Sequence, residues 1–240
     1  MLVKLTDSGY AISSEIDIPG EGSTNFIFGR GWLLEIIELA EGEYSFFSNG
    51  SAVQPKSARF GLFYPPFTLV RIYINAIRGK VRGIGSTTFD ERLPKIPTLF
   101  ETEWSDKLDS IDQAVEILKN ARNCRSIEIN TQPSLTTLKA KRLIDENYLI
   151  YPSIARIAAR LKISHEHLSR QFKKDLGLSP SAYLHQLRVA EATFRLSLGE
   201  EIIDVSQDVG YNDLSRFYKQ FRKATKTSPA VCRKMLKRPN

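Results

Sequence analysis

Two segments in the second half of the chain place polar and basic residues at spacings of three and four, which would align them along one side of a helix. In residues 164–176 these are Glu166, Ser169, Arg170, Lys173 and Lys174, and in residues 212–225 they are Ser215, Arg216, Tyr218, Lys219, Arg222 and Lys223. Guanidinium, ammonium and hydroxyl groups in such a row can bond to base edges and phosphates in the DNA major groove. The pattern predicts two helices that contact double-stranded DNA.

The apolar residues of the same segments predict the buried side of each helix. They are Leu168, Phe172 and Leu176 in the first segment, and Leu214, Phe217 and Phe221 in the second. This spacing places them on one helical face. We expect the helices to begin at Ser164 and Asn212, whose side-chain oxygens can cap exposed amides.

Both segments belong to a pattern of helix, turn and helix that occurs twice, in residues 153–180 and 202–229. The copies match with an offset of 48 before the turn and 49 after it, so the second turn is expected to hold one more residue. Between the copies, Ser179 and Pro180 predict the start of a linker helix that ends near Gly199. Roughly 19 residues would make a rod of about 28 Å. With its flanking units, this rod could hold the two DNA-contacting helices about one DNA turn, or 34 Å, apart.

The basic residues of the chain are concentrated in the half that contains the repeated pattern. Residues 135–240 hold 20 Lys and Arg against 10 Asp and Glu, whereas residues 1–134 hold 14 against 17. An excess of positive charge in this half favours binding to phosphates through the release of counterions.

The repeated pattern resembles the C-terminal domain of the AraC/XylS family of bacterial transcription regulators. The resemblance covers residues 135–240 and rests on both copies, the linker helix, the run Phe-Lys-Lys-Asp-Leu-Gly-Leu-Ser-Pro at 172–180, and Gly210-Tyr211 followed by Phe217 and Phe221. It implies an all-α DNA-binding domain with two helix-turn-helix units. The chain departs from the family pattern at Lys226, where a helix-ending glycine is usual, and at Cys232, which replaces an aromatic residue.

The resemblance also implies a role for each exposed residue. The candidates for base contact are Glu166, Ser169, Arg170, Ser215, Arg216, Tyr218 and Lys219, and those for phosphate contact are Lys173, Lys174, Arg222 and Lys223. Arg170 and Lys219 are the strongest candidates, because each lies two positions before a core phenylalanine and can donate to guanine. The alternative for any one of these residues is an ordinary solvated helix face.

Residues 1–104 have the composition of a mainly β domain, a barrel or a sandwich, so the fold class expected for the whole chain is α+β with two domains. Aromatic and β-branched stretches are separated by Glu41-Gly42, Asn49-Gly50 and Pro65-Pro66, which are turn sequences. In AraC-like chains this position often holds a cupin-like barrel for sensing or oligomerisation, and residues 42–50 and 61–66 resemble parts of one. The candidates for an effector pocket are Tyr44, Phe46, Phe63 and Tyr64, with ordinary core packing as the alternative.

Residues 105–134 are predicted to form a helix and an interdomain linker. An apolar stripe follows Ser105 or Asp106 and predicts a helix over 106–120; it consists of Leu108, Ile111, Ala114, Val115 and Leu118. The stripe would pack on its own barrel or pair with a second copy, and the resemblance favours the homodimer. The polar residues 122–134 would then be the linker.

The side chains that most enzymes and metal sites need are missing or scattered. All three histidines, His165, His167 and His185, lie in the second half of the chain, so the β domain has no imidazole for a metal or a catalytic triad. We expect no catalytic residues, no metal and no cofactor. Cys124 and Cys232 are isolated, which favours a reduced, cytoplasmic protein. No secretion signal is expected, because Lys4 and Asp7 are followed by a polar stretch. No membrane span is expected either, since the most apolar stretch is interrupted by Pro65-Pro66.

Two functions are compatible with these features. The first is a transcription regulator, an activator by its resemblance, with RNA polymerase as a partner and with control by a small molecule, a regulatory protein or dimerisation. The second is a nucleoid-structuring protein with little sequence preference. The equivalent positions of the two helices hold different side chains, Glu166 against Ser215 and Ser169 against Tyr218. Since a general phosphate binder would not need this difference, the first function is favoured.

Overall fold

The computed structural model describes residues 2–6, 9–88, 90–130, 132–150 and 153–236. The chain divides into an N-terminal and a C-terminal unit between Ile129 and Asn130. The described elements of the N-terminal unit are β1 (Leu2–Thr6), β2 (Gly9–Ile27), β3 (Trp32–Ser48), β4 (Ser51–Val53), β5 (Arg59–Tyr64), β6 (Leu69–Ser86), β7 (Thr98–Glu101), α1 (Ile111–Lys119) and β8 (Arg122–Ser126). Those of the C-terminal unit are α2 (Leu135–Asn147), α3 (Ile154–Arg160), α4 (His165–Leu176), α5 (Pro180–Ser197), α6 (Ile202–Asp208), α7 (Leu214–Thr225) and α8 (Pro229–Leu236). This arrangement confirms the predicted α+β fold with two domains.

The N-terminal unit is built on one antiparallel sheet with the strand order β1-β2-β6-β3-β5-β7-β8, and β4 pairs with β3. The long strands β2, β3 and β6 are interrupted by shifts of register, between Ile18 and Glu21 and between Leu39 and Glu43. Such bulges bend a strand and increase its twist. The sheet therefore curls, and its two faces carry separate cores. We call them the helix face, with Leu34 and Ile36, and the inner face, with Leu33 and Ile37.

The first part of strand β3, residues 32–37, is buried on both faces, which explains its mainly apolar sequence. Leu34 and Ile36 belong to the core of the helix face, and Leu33 and Ile37 belong to the core of the inner face. Successive side chains of a strand point to opposite faces. One strand thus contributes to two separate cores.

Helix α1 covers the helix face, and its position corrects two predictions. It begins after Ser110, whose hydroxyl accepts from the Gln113 amide, and not after Ser105 or Asp106. The predicted dimer residues pack inside the unit: Leu108 and Val115 are 2% and 3% exposed, and Ile111 and Leu118 pack against the same core. The stripe therefore packs on its own sheet, so these side chains are not free to pair with a second copy.

The predicted linker is also shorter than residues 122–134. Its first part is strand β8, which pairs with β7 and belongs to the N-terminal unit. The strand escaped prediction because its sequence is Arg-Asn-Cys-Arg-Ser and its first three residues are exposed. Thr131 lies outside the described residues.

The C-terminal unit contains the predicted pair of helix-turn-helix units, α3 with α4 and α6 with α7. The turns comprise residues 161–164 and 209–213, so the second turn is one residue longer, as the offset predicted. The linker helix α5 starts at Pro180 after the Ser179 cap and has 18 residues, which corresponds to about 27 Å.

Candidate nucleic-acid interface

Helix α4 is positioned by its cap and its apolar face, as predicted. The Ser164 hydroxyl accepts from the His167 amide at 3.1 Å, and Leu168, Phe172 and Leu176 are buried. The helix ends at Gly177, which has a φ of 78°. The opposite side of the helix is accordingly presented to solvent.

The predicted DNA-contacting residues of α4 lie together on this solvent side. Glu166, Arg170, Lys173 and Lys174 are exposed and Ser169 is half-buried. The face carries one carboxylate among three cations, which suits contact with both base edges and phosphates. Their individual roles at DNA remain predictions.

Asp175 anchors α4 to the start of α2. Its carboxylate is buried and accepts from the Ser134 amide at 3.0 Å, the Ser134 hydroxyl at 2.7 Å and the Gln171 amide at 3.0 Å. Burial raises the pKa of Asp175, but hydrogen bonds from Thr137, Ser134 and Gln171 outweigh this effect and lower the pKa to about 2. Asp175 thus stays charged and holds the helix in place.

Helix α7 begins one residue later than predicted. The cap is Asp213, whose carboxylate accepts from the Ser215 amide at 2.8 Å, rather than Asn212. Phe217 and Phe221 are buried as expected, whereas Leu214 is 40% exposed. Leu214 is the first residue of the helix, beyond the edge of the core that the two phenylalanines occupy.

The polar residues of α7 divide into two groups. Ser215, Tyr218, Lys219 and Arg222 line one cleft of about 580 Å³ together with Leu214. The charges of Arg216 and Lys223 instead act on His185 of the linker helix. The structure thus separates Arg216 from the other predicted base-contacting residues of this helix.

His185 lies within electrostatic reach of Arg216 and Lys223, on the side of α7 away from the cleft. Burial, together with the positive charges of Arg216, Arg188 and Lys223, lowers its pKa to about 4. Its Nδ1 atom lies 3.0 Å from the Tyr211 hydroxyl. The imidazole is therefore neutral at neutral pH, and the positive charge around it comes from Arg188, Arg216 and Lys223.

Arg188 of the linker helix connects the first part of the unit to the second helix-turn-helix. Its Nε donates to the Tyr148 carbonyl at 2.7 Å, and its Nη1 donates to the Gly210 carbonyl at 2.9 Å. The side chain is buried, and the guanidinium lies 5.6 Å from the centre of the Tyr211 ring. These bonds fix the turn that leads into α7.

Gly210 is required in that turn. Its φ is +84°, and a Cβ atom there would lie 2.6 Å from Arg188 Nη2 and 2.7 Å from the Leu149 carbonyl oxygen. An L side chain would be strained by the backbone and blocked by both neighbours.

Helices α4 and α7, which we call the recognition helices, end in the same way despite their different sequences. Lys226 has a φ of 60° and Gly177 a φ of 78°. The departure from glycine at position 226 therefore keeps the left-handed end and places a lysine in a conformation that costs free energy.

The four candidate pocket residues of the N-terminal unit do not lie on one face. Phe46 and Tyr64 are in the inner-face core with Tyr44 packed against it, whereas Phe63 packs with Trp32 on the helix face. The Trp32 and Phe63 rings lie 6.2 Å apart. Neighbouring strand residues point to opposite faces, so Phe63 cannot line a pocket with Tyr64.

In the part of the chain that the structure describes, no group of three or more His, Cys, Asp or Glu side chains is arranged to hold a metal ion. None of the described helices has the length and apolar character needed to cross a membrane.

A β-sheet unit followed by two helix-turn-helix units, each exposing a basic recognition helix, defines a class of DNA-binding protein. Residues 157–235 match a protein-family profile described as a helix-turn-helix domain. The lactose operon transcription activator of Staphylococcus xylosus is 37% identical over 81 residues, which are 33% of this chain and 29% of that protein. The transcriptional activator RhaS of Pectobacterium carotovorum is 32% identical over 91 residues, which are 38% and 33% of the two chains. Residues 157–235 of this chain therefore carry a helix-turn-helix domain.

These sequence matches span only about a third of the length of the two relatives. The fold is similar over a longer range. The structure of ToxT from Vibrio cholerae matches 97% of this chain and 100% of its own, with a TM-score of 0.60 and 12% sequence identity. The likeness to ToxT concerns the fold alone.

Proposed function

We propose that this chain is a sequence-specific transcription activator whose helices α4 and α7 enter two adjacent major grooves. The observation that carries the proposal is the pair of recognition helices, each with an aromatic buried face and an exposed polar row, joined by α5. A linker of about 27 Å, extended by the helices at its ends, suits a groove separation of about 34 Å.

Sequence readout is supported by the difference between the two polar rows. Arg170 is exposed on α4, and Lys219 lies with Tyr218 in the cleft along α7. Guanidinium and ammonium groups in the major groove donate to guanine. Lys173, Lys174, Arg222 and Lys223 would contact phosphates and supply affinity that does not depend on sequence.

The N-terminal unit would adjust the occupancy of the DNA site in the cytoplasm, through a small molecule or a regulatory protein. Activation would require RNA polymerase as a partner, in keeping with the relatives that are named as transcription activators. A homodimer remains part of the proposal, through a surface other than the stripe that α1 buries in its own core.

The test is a selection of bound fragments from genomic DNA, followed by affinity measurements on a selected site and on random DNA. Arg170→Ala should lose about 1 to 3 kcal/mol on the selected site and relax base choice at one position. Lys173→Ala should weaken both DNAs alike and reduce the salt dependence of binding.

The matched control is Lys80→Ala, which removes one exposed positive charge from the N-terminal unit. It should leave both affinities unchanged. Equal losses on selected and random DNA for Arg170→Ala would contradict its role in base contact.

A further inference from the structure

The inner face of the N-terminal sheet carries one carboxylate among apolar residues. Glu35 lies on β3 between Leu33 and Ile37, which both belong to the inner-face core. It is paired across the sheet with Leu62 of β5 and Gly83 of β6. Side chains of directly paired residues share a face, so Glu35 points into the inner side of the curled sheet.

Glu35 lacks a counter-charge in the described part of the chain. No described side chain forms a hydrogen bond or ion pair with it, and burial alone raises its pKa to about 7. Among the described residues, Tyr10, Tyr44 and Tyr64 also lie at this core, and Arg125 is paired with Leu99, which belongs to it. Arg125 donates to the Gln54 carbonyl at 2.6 Å and does not compensate the carboxylate.

The hydroxyl groups of three tyrosines lie within electrostatic reach of this carboxylate. Burial raises the pKa of Tyr10 to about 12, with the charge of Glu35 as a second cause. Burial and Glu35 also raise the pKa values of Tyr44 and Tyr64, whose hydroxyls share a hydrogen bond. The ring centre of Tyr44 lies 5.2 Å from that of Phe46 and 5.7 Å from that of Phe60. Tyr44 thus lies among aromatic rings of the inner-face core and within electrostatic reach of the carboxylate.

Two glycines of β6 let the Tyr10 and Glu35 side chains pack closely against that strand. A Cβ atom on Gly85 would lie 2.4 Å from the Tyr10 ring, and one on Gly83 would lie 3.2 Å from Glu35 Cγ. Glu35, Tyr10 and Tyr44 keep part of their surface accessible although they lie deep in the unit. They therefore border space that the protein does not fill.

A cleft lies next to Tyr44. This cleft of about 450 Å³ is lined by residues 39–44 and 54–58. Leu39 and Tyr44 belong both to this cleft and to the inner-face core. A small molecule in the cleft would meet the inner face through these two side chains.

We propose that the inner face binds an organic ammonium ion with an apolar body, with Glu35 as its counter-ion and Tyr10, Tyr44 and Tyr64 around the charge. The cation supplies the charge that the buried carboxylate lacks, and the tyrosine faces attract it further. The inference rests on the proposed function in one respect, since it assigns a chemical class to the effector of the N-terminal unit.

Two other ligand classes fit this face poorly. A sugar presents several hydroxyl groups, each of which needs a partner when buried, but the polar groups around Glu35 are three tyrosine hydroxyls, two of them already bonded to each other. A carboxylate ligand would place a second negative charge beside Glu35 with no cation to separate them. Both classes enter the test as alternatives.

The experiment is calorimetric titration of the full chain with 2-phenylethylammonium, 2-phenylethanol, 3-phenylpropanoate and rhamnose. The ammonium ion should bind at least ten-fold more tightly than the alcohol of nearly the same shape, and the acid and the sugar should bind more weakly still. Glu35→Gln should lose at least ten-fold in ammonium affinity while its affinity for the alcohol is unchanged. Glu15→Gln, an exposed carboxylate change on β2, is the control and should bind like the original chain.

A second variant keeps the test decisive if Glu35→Gln does not fold. Tyr44→Leu should reduce ammonium affinity several-fold more than alcohol affinity, because it removes one aromatic face. The proposal is overturned if the alcohol, acid or sugar binds as well as the ammonium ion, if no probe binds at millimolar concentration, or if both variants retain ammonium affinity.

DNA footprints recorded without ligand separate this inference from the proposed function. Protected sites without ammonium binding reject the ligand class alone. Ammonium binding without protected sites supports the pocket and rejects the regulator.

Discussion

Two glycines of the C-terminal unit have a left-handed backbone conformation. They provide a matched test of the contact between Arg188 of the linker helix and the turn that leads into α7. Gly210 and Gly199 have φ angles of +84° and +90°. A Cβ atom on Gly199 would have nothing within 4 Å, whereas one on Gly210 would meet Arg188 at 2.6 Å and the Leu149 carbonyl at 2.7 Å. The two alanine variants share the backbone strain and differ in the collision.

The expected losses follow from this difference. Gly199→Ala should reduce the free energy of unfolding by about 1 to 2 kcal/mol, the cost of placing an L residue in the left-handed region. Gly210→Ala should pay the same strain and also displace the Arg188 guanidinium from a buried carbonyl, a charged hydrogen bond of about 1.5 to 3 kcal/mol. The total for Gly210→Ala is about 2.5 to 5 kcal/mol.

The assay is urea denaturation of the full chain at neutral pH, followed by footprinting of each variant under conditions where it is folded. Gly210→Ala should lose protection over the segment contacted by α7 and keep protection over the segment contacted by α4. Gly199→Ala should keep both. Equal stability losses, or an intact α7 footprint in Gly210→Ala, would refute the assigned role of Arg188 and Gly210.

Three further changes test separate features of the structure. Asp175→Asn should reduce the free energy of unfolding by about 2 kcal/mol at pH 7. Because the folded pKa of Asp175 is lowered to about 2, its contribution is present above pH 4 and is lost as the pH falls towards 2. The same pH dependence of denaturation in both proteins would reject this role. Lys226→Gly should raise the free energy of unfolding by about 1 kcal/mol by relieving the left-handed lysine, and a lower midpoint in urea would contradict this. Because burial raises the folded pKa of Glu35 to about 7, the free energy of unfolding of the original chain should fall by about 3 kcal/mol as the pH rises from about 4.5 to 7. Glu35→Gln should abolish this fall. An unchanged pH profile would show that the carboxylate is solvated.

The C-terminal unit was largely predictable because its signals are local. Periodic apolar residues, the Ser164 and Ser179 caps and the Pro180 start each act within a few residues of the chain. The second cap was misplaced because Asn212 and Asp213 are adjacent and both can cap a helix. Sequence alone does not show which of the two the longer turn brings to the helix end.

The features that escaped prediction depend on contacts between distant parts of the chain. Arg188 bonds to carbonyls 40 and 22 residues away, and Asp175 bonds to Ser134, 41 residues away. No local pattern marks these residues. Glu35 was hidden for another reason. Alternation groups it with Leu33 and Ile37, but both sides of this stretch are apolar, so the sequence does not show that the side with Glu35 is covered.

Hydroxyl-radical footprinting of the full chain on a selected genomic fragment tests the central claim most directly. If α4 and α7 enter neighbouring grooves, the cleavage pattern should show two protected segments on one side of the duplex, centred about 10 base pairs apart. A single protected segment, or the same protection on random DNA, would contradict the account.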